Sequence, residues 1–300
     1  MVAAVIVLYN PDHQLLERLL LSITGQVEKT FVIDNTPNSS SAASAFFAKY
    51  RIPIVYVPLG DNMGIAAAQN VGIQLSIEAG CSHVLLLDQD SALPAGAIVQ
   101  LLVAEEHLSR RGKRVAAVGP LFLDEKNGKP ACAVQHTWLR VKRLSVHADA
   151  CDPVETDCLN ASGSLICTTV FKEVGLMLEE LFIDAVDTEW CMRCKSKGFS
   201  SYIVPNVTMV HNIGDMAVSI LGREITLHGD IRNYYIIRNA TYLLRLRTMG
   251  YRWRISNALS IPKYVVLYSL LSGHIFTSIS MLLTALRDGL IGKTGRFARK

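Results

Sequence analysis

Val2-Ala3-Ala4-Val5-Ile6-Val7-Leu8, closed at once by Tyr9-Asn10-Pro11, is the stretch on which the fold turns. A continuous apolar run rich in Val and Ile, with no polar alternation, is the mark of a strand buried on both faces. The residues after it agree. Leu15, Leu16, Leu19, Leu20 and Ile23 recur at helical spacing, and Gly25 ends the pattern. Residues 30–33 predict a second strand, 34–40 a loop, 42–50 a helix and 54–57 a third strand. A Gly-containing loop then leads to a helix over Ile65–Glu78 and a fourth strand at 83–87. Four strand–helix repeats within roughly ninety residues predict an α/β protein with a mostly parallel, doubly wound sheet.

In such sheets ligands sit beyond the carboxyl ends of the strands. The residues leaving each strand are Tyr9-Asn10, Asp34-Asn35, Gly60-Asp61-Asn62 and Asp88-Gln89-Asp90. All are polar, small or acidic, so they form one coherent rim of ligand-binding groups.

Composition narrows the class. The chain has 300 residues, half of them hydrophobic, and a net charge of +4, too small to argue for nucleic acid. The mean hydropathy of +0.27 is high for a freely soluble enzyme. Basic residues crowd the last quarter: Arg232, Arg238, Arg245, Arg247, Arg252, Arg254, Lys293, Arg296, Arg299 and Lys300. Beside an apolar stretch such residues point to an anionic membrane surface. Seven cysteines without a framework suit a reducing, cytosolic compartment. Val2–Leu8 lacks the positive flank of a signal peptide. Cys191 and Cys194 have metal-type spacing, but no second pair accompanies them, so packing is the expected role.

The middle of the chain is less regular. Residues 115–118 read as a strand, 124–129 as a charged turn, and 160–167 as a small-residue segment running into a strand. A short helix is expected at 170–175, an acidic cluster leading into a helix over 181–197, and two short strands at 201–204 and 207–210. Residues 230–249 predict one basic, Tyr- and Leu-rich helix. Between Tyr264 and Leu286 no residue carries a formal charge. Ser269, Ser272, Gly273, His274, Thr277, Ser278, Ser280 and Thr284 make this a poor lipid-facing span, so an interfacial helical hairpin is expected. A buried helix or an oligomer interface is the alternative.

Asp88-Gln89-Asp90 ends an apolar strand. Two carboxylates one residue apart can hold Mg²⁺ or Mn²⁺, with water and phosphate oxygens completing the shell. Such an ion offsets the charge that grows on a departing diphosphate. Alone, the pattern also occurs in solvated turns.

Taken in order, Val5-Ile6-Val7-Leu8-Tyr9-Asn10, Ile33-Asp34-Asn35, Asn62-Met63-Gly64-Ile65 and Leu85-Leu86-Leu87-Asp88-Gln89-Asp90-Ser91 resemble the motifs of family 2 glycosyltransferases with the GT-A fold. Phe182-Ile183-Asp184-Ala185-Val186-Asp187-Thr188-Glu189-Trp190 resembles that family's acidic acceptor-side motif. The two acidic stretches together are especially similar to bacterial rhamnosyltransferases that use dTDP-L-rhamnose. The resemblance runs from Val2 to about Asn239. It implies a glycosyltransferase domain over 1–250, with a nucleotide-binding half at 1–120 and an acceptor half at 121–250. Residues 251–300 would form a membrane-associating helical region.

The resemblance also implies roles. Tyr9 and Asn10 would line the base and ribose pocket, and Asp34 would accept from the base N3–H. Asn35 would contact the nucleotide sugar, and Asn62 and Gly64 would shape the nucleotide loop, with Asn70 in support. Asp88 would reach ribose or metal, Gln89 the nucleotide, and Asp90 and His211 the metal. Asp187 would be the general base of a single, inverting displacement. The family pattern is commonly Glu-Asp here, whereas this chain has Val186-Asp187, and Asp184 competes for the role. Three acids in six residues could also be a helix N-terminus, where negative charge is favoured anyway. Asp184, Glu189, Trp190 and Arg238 are expected on the acceptor or diphosphate side.

The implied partners are a dTDP-sugar, a lipid-linked saccharide or glycolipid, and the cytoplasmic face of a bacterial inner membrane, with a homo-oligomer possible and nucleic acid excluded. Rival readings remain a UDP- or GDP-sugar donor, or a non-catalytic sugar-nucleotide sensor. A nucleotidyltransferase would need a Gly-rich basic loop after its first strand, where Tyr9-Asn10-Pro11-Asp12 stands instead.

Overall fold

The computed structural model describes residues 1–124, 128–137, 141–211, 217–220, 223–226 and 229–297. In chain order the first half runs β1 (Val2–Leu8), α1 (His13–Ile23), β2 (Lys29–Asp34), β3 (Ile54–Pro58), α2 (Ile65–Glu78), β4 (His83–Asp88), α3 (Ala97–Arg110) and β5 (Val115–Asp124). Then come β6 (Ala133–His136), β7 (Val141–Leu144), β8 (Val154–Thr156), β9 (Leu165–Cys167), α4 (Thr168–Val174), α5 (Val186–Ser196) and β10 (Ser200–His211). The chain continues through β11 (Ala217–Ile220), β12 (Arg223–Thr226), α6 (Asp230–Leu243), α7 (Gly250–Leu271) and α8 (Ile275–Ile291).

Eight strands form one sheet in the order β3-β2-β1-β4-β9-β5-β10-β8. β3, β2, β1 and β4 are parallel, as are β5 and β10, while β9 and β8 run antiparallel to their neighbours. β1 explains its own sequence. Ala3, Val5 and Val7 face a core shared with α2, α4 and α5, whereas Val2, Ala4, Ile6 and Leu8 face one shared with α1 and α3. A strand covered on both faces has no position for a polar side chain. Asp12 caps α1 by accepting from the backbone N–H of Gln14 and Leu15.

Four expectations are corrected. Residues Ser41–Lys49 form 3-10 turns rather than an α-helix. Their Ala/Ser-rich start offers no apolar stripe, and Phe47 is the side chain that reaches the core. The two strands expected at 201–204 and 207–210 are one strand, β10, with a register shift between Val204 and Thr208 around Pro205. β9 enters antiparallel between two parallel blocks, which no periodicity signals. The basic helix over 230–249 stops at Leu243, and a 3-10 turn at Arg247–Met249 ends at Gly250, whose φ of 67° breaks the run.

The C-terminal helices form a hairpin that packs on α6 through Tyr234, Tyr235, Ile237, Tyr268, Leu282 and Ala285. Among the described residues no helix is long and apolar enough to cross a membrane. Cys191 and Cys194 are buried free cysteines, and burial pushes the Cys191 thiol up to about 12.

One contact sets how closely α2 lies on the sheet. A Cβ on Gly72 would sit 2.3 Å from Val5 Cγ1, so only glycine admits this spacing. Gly72→Ala should therefore lower stability by about 1–3 kcal/mol, as overpacking does. Chemical denaturation checks this, and an unchanged midpoint would refute it.

Candidate active site

Side-chain bonds join the ends of the parallel strands into a rim. Gln89 is spent on the backbone of Tyr9: its Oε1 accepts from Tyr9 N at 2.8 Å and its Nε2 donates to Tyr9 O at 3.2 Å. The expected nucleotide contact from Gln89 is thus corrected to a tie between β1 and β4. Asn10 leaves β1 in left-handed backbone, φ 46°, and its N–H donates to Thr36 Oγ1 at 2.9 Å. Tyr9 stands exposed beside it.

Asp34, buried at the end of β2, accepts from Thr36 N at 2.9 Å and from Tyr56 OH at 2.6 Å. Asn35 donates to Asn62 Oδ1 at 3.0 Å and accepts from Met63 N at 2.7 Å, and Asn62 Oδ1 also accepts from Gly64 N at 3.0 Å. Two amides therefore hold the 60–64 loop in one shape. A Cβ on Gly64, φ 88°, would lie 2.6 Å from Phe182 O, and Ile65 N donates to the same oxygen at 2.7 Å.

That contact fastens the nucleotide-side loop to the acidic loop. Phe182, Asp184 and Ala185 all have φ near +60°, at 64°, 65° and 61°. Such backbone strain in non-glycine residues persists only where surroundings over-determine it. Here Asn239 Nδ2 lies within 3.0 Å of the carbonyl oxygens of Leu181, Ile183 and Asp184. Arg238, also buried, donates to Leu181 O at 3.1 Å and Glu180 O at 3.4 Å. Its expected diphosphate role is corrected: its guanidinium is turned to backbone carbonyls.

Three further expectations are corrected by burial. Glu189 is buried against Arg193, with the closest approach 2.8 Å, and Arg193 also donates to Val174 O and Leu176 O. Trp190 is buried and donates from Nε1 to Gly175 O at 3.0 Å. Asn70 does not face the nucleotide rim. It donates to Met177 O and Glu179 Oε1 and accepts from Met177 N, pinning α2 to the chain before the acidic loop.

The carboxylates remain. Asp88 N donates to Ser162 Oγ at 3.0 Å, and Ser162 Oγ is 2.6 Å from Ser91 Oγ, so the 160–164 turn braces the end of β4. Burial, then the charges of Asp90 and Asp187, push the Asp88 carboxyl up to about 6, with Arg232 opposing. Asp187 opens α5 half-buried and accepts from Thr188 N at 2.7 Å. Its carboxyl is raised by burial and by Asp184, against the Thr188 N–H. Asp184 pairs with Arg232 at 3.3 Å.

Crowded carboxylates that raise one another are a donor set suited to a hard divalent cation. Among the described residues, Asp88 and Asp90 belong to no trio of ligands within 4.8 Å of one another. Hard ions of the Mg²⁺ type take one or two carboxylates and leave the rest to water and phosphate. The side chain of His211, at the end of β10, lies outside the described residues. Sequence reasoning missed Thr36 and Tyr56, and took Ser162 only within a small-residue turn and Arg232 and Asn239 only within a basic helix. Asn239 had a signal, an amide beside an arginine in a Tyr-rich helix, but was read only as part of a basic face.

No family model matches the chain. Among solved structures it is similar to GalNAc-T7, crystallised with UDP, GalNAc and Mn²⁺, at a TM-score of 0.63 and 15% identity over 98% of this chain. It spans 56% of that structure's chain. The likeness gives the fold, GT-A. In sequence the chain is 37% identical to the dTDP-rhamnosyl transferase RfbF of Shigella flexneri, over 81% of this chain and 79% of that one. The chain belongs to that family, the bacterial rhamnosyltransferases of glycosyltransferase family 2.

Two expectations arise from this geometry. Asn239→Ala should leave the fold intact by circular dichroism but lower turnover by on the order of 100-fold, through loss of loop placement. Turnover within threefold of the parent would overturn the clamp. A base must be unprotonated to act, and the Asp187 carboxyl is raised. Activity should therefore fall with decreasing pH at an inflection above the ordinary Asp value of about 3.9. A pH–rate profile flat down to pH ~4 would remove Asp187 as base.

Proposed function

We propose that the chain transfers L-rhamnose from dTDP-L-rhamnose to a hydroxyl of a lipid-linked saccharide or glycolipid, with inversion, in bacterial surface-polysaccharide synthesis. The observation that carries this is the raised Asp187 carboxylate, at the first turn of α5, within electrostatic reach of Asp88 across the rim. The named activity of the Shigella relative supports the donor.

The acceptor oxygen attacks the anomeric carbon while its proton passes to Asp187. The carbon–oxygen bond to the diphosphate breaks with its electron pair, and dTDP departs. No protein nucleophile takes part, so one displacement inverts the carbon. Mg²⁺ or Mn²⁺ on Asp88 and Asp90 supplies, when bound, charge neutralisation for the leaving diphosphate. Asp34 retains free lone pairs for the base N3–H beside Tyr56 and Thr36. Tyr9 and Asn10 flank that pocket.

The test is calorimetric binding of dTDP-L-rhamnose beside UDP- and GDP-sugars, in Mg²⁺ and in EDTA, with turnover by Asp187→Asn. Metal-dependent preference for dTDP-rhamnose is expected. In Asp187→Asn, binding should persist while kcat falls roughly 10²- to 10⁴-fold. Preference for another sugar nucleotide would remove rhamnose and keep the class, and binding without turnover in the parent would favour a sensor.

Membrane association draws on the α7–α8 hairpin. Ile255, Leu259, Val266, Leu270, Leu283 and Phe276, the last 90% exposed, leave it with an uncovered apolar face. Arg252, Arg254, Lys263 and Arg287 lie on the same two helices. This combination suits the cytoplasmic surface of an inner membrane, where an acceptor lipid would be met. The enzyme should float with anionic vesicles and less with neutral ones, and Phe276→Glu should weaken flotation. Concentration-dependent dimerisation lost in the same variant, without flotation, would assign the face to a second copy.

A further inference from the structure

A second constellation lies at the opposite end of β4 from the rim. His83 starts β4 and is the direct antiparallel partner of Cys167, the last residue of β9, so both side chains leave the same face of the sheet. Glu105 reaches them from α3, which covers that face. Its Oε2 lies 2.7 Å from His83 Nε2. The His nitrogen, the Cys sulfur and the carboxylate oxygen all fall within 4.8 Å of one another, and all three residues are half-buried. Asp88 is five residues further along the strand, roughly 17 Å away.

Hydrogen-bonding groups flank both ring nitrogens of His83. Ser82 Oγ is 3.0 Å from Met1 O, which can only accept. Ser82 Oγ is also 3.0 Å from His83 Nδ1, so a hydroxyl that donates to Met1 O can accept from Nδ1–H. His83 turns Nε2 to the Glu105 carboxylate. At 2.7 Å the nitrogen and the carboxylate oxygen share one proton, which a metal ion held by the same pair would replace. Fixing one ring nitrogen as a donor so that the other can bind metal is the usual outer-shell arrangement of histidine ligands.

We propose that His83, Glu105 and Cys167 form an accessory site for a borderline-soft divalent metal ion such as Zn²⁺, distinct from the carboxylate rim. Imidazole, thiolate and one carboxylate are the donors that Zn²⁺ and Co²⁺ prefer, and three protein ligands leave a fourth position for water. Mg²⁺ would avoid the thiol and the imidazole. Ligand atoms around such an ion stand about 3.4 Å apart. His83 and Glu105, 2.7 Å apart, must separate slightly to admit the ion. On binding, the Cys167 thiol proton and the proton held between His83 and Glu105 pass to solvent, and the metal bonds to sulfur, nitrogen and oxygen. The ion would join α3 to the β4–β9 pair behind the catalytic edge.

The test uses the full chain stripped with EDTA and titrated with Co²⁺ in excess Mg²⁺, which occupies the hard site. One equivalent of Co²⁺ should give tetrahedral visible bands and a thiolate-to-metal charge-transfer band. Cys167→Ala should abolish the charge-transfer band, and Glu105→Gln, which keeps the helix packing, should loosen Co²⁺ at least tenfold. Activity with Mg²⁺ should be unchanged in both variants. No charge-transfer band in the parent, or an equal band in Cys167→Ala, would overturn the proposal, because the ion would then be absent or held by other cysteines. If Cys167→Ala does not fold, the same titration of Glu105→Gln decides, and unchanged affinity there rejects the site.

Discussion

A chain that passes through Phe182, Asp184 and Ala185 in left-handed backbone turns its carbonyl groups away from any regular ladder. Those of Leu181, Ile183 and Asp184 end on one side-chain amide, that of Asn239 on α6. Unpaired, each buried carbonyl would cost free energy comparable to a lost hydrogen bond, so the loop's shape and the position of α6 are settled together. Arg238 extends the same tie to Glu180 and Leu181. From the other side, Ile65 N and the bare Gly64 close on Phe182 O. The loop that carries Asp184 and leads into Asp187 is thus gripped between the nucleotide-side helix and the C-terminal helices.

Such a grip is needed because the carboxylates it assembles oppose one another. Asp88 is raised by burial, Asp90 and Asp187, and Asp187 in turn by burial and Asp184. Asp157, elsewhere in the same domain, makes the contrast. Burial alone would raise it, yet hydrogen bonds from His136 and the ammonium of Lys195 carry it down to about 2. A carboxylate given partners stabilises the fold above the ordinary Asp range, and that contribution is lost only as pH falls toward 2. At Asp88, by contrast, burial and the charges of Asp90 and Asp187 outweigh Arg232, so this proximity opposes folding and must be held by the scaffold. Perturbed groups of this kind gather where charge is handled in a reaction.

Much of this was readable from the chain. The unalternating apolar run at Val2–Leu8 announced a doubly covered strand, and the polar residue after each strand marked the rim before any contact was known. What pattern could not give was the fate of side chains whose partners are distant in sequence. Gln89 reads as a ligand until Tyr9, eighty positions away, takes both ends of its amide. Glu189 sits in an acidic motif, yet Arg193 one turn later neutralises it inside the core. Arg238 and Trp190 are polar-tipped and so look available, but buried backbone carbonyls claim them. The antiparallel entry of β9 was invisible for a related reason, since strand direction is decided by tertiary pairing and leaves no period in the sequence.

The helical hairpin is bound into this arrangement more tightly than a membrane appendage would require. Gly289 on α8 brings that helix so near α6 that a Cβ would lie 2.6 Å from Arg238 O. Tyr234 donates to the fully buried Asp288 at 2.9 Å, whose other contacts are Arg287 and Lys293. Beyond α8 the chain turns back: Gly295 N donates to Glu180 O, Phe297 N to Tyr235 OH, and Arg296 meets both oxygens of Asp61 at 2.9 Å. The last of these is exposed and adds little energy. The first two are backbone bonds to the helix and turn that hold the acidic loop. Whatever presses on α7 and α8 therefore bears, through α6 and Asn239, on the loop that leads to Asp187. The hairpin and the catalytic edge share one set of buried bonds, so a boundary drawn at residue 250 marks a change of composition and not of structure.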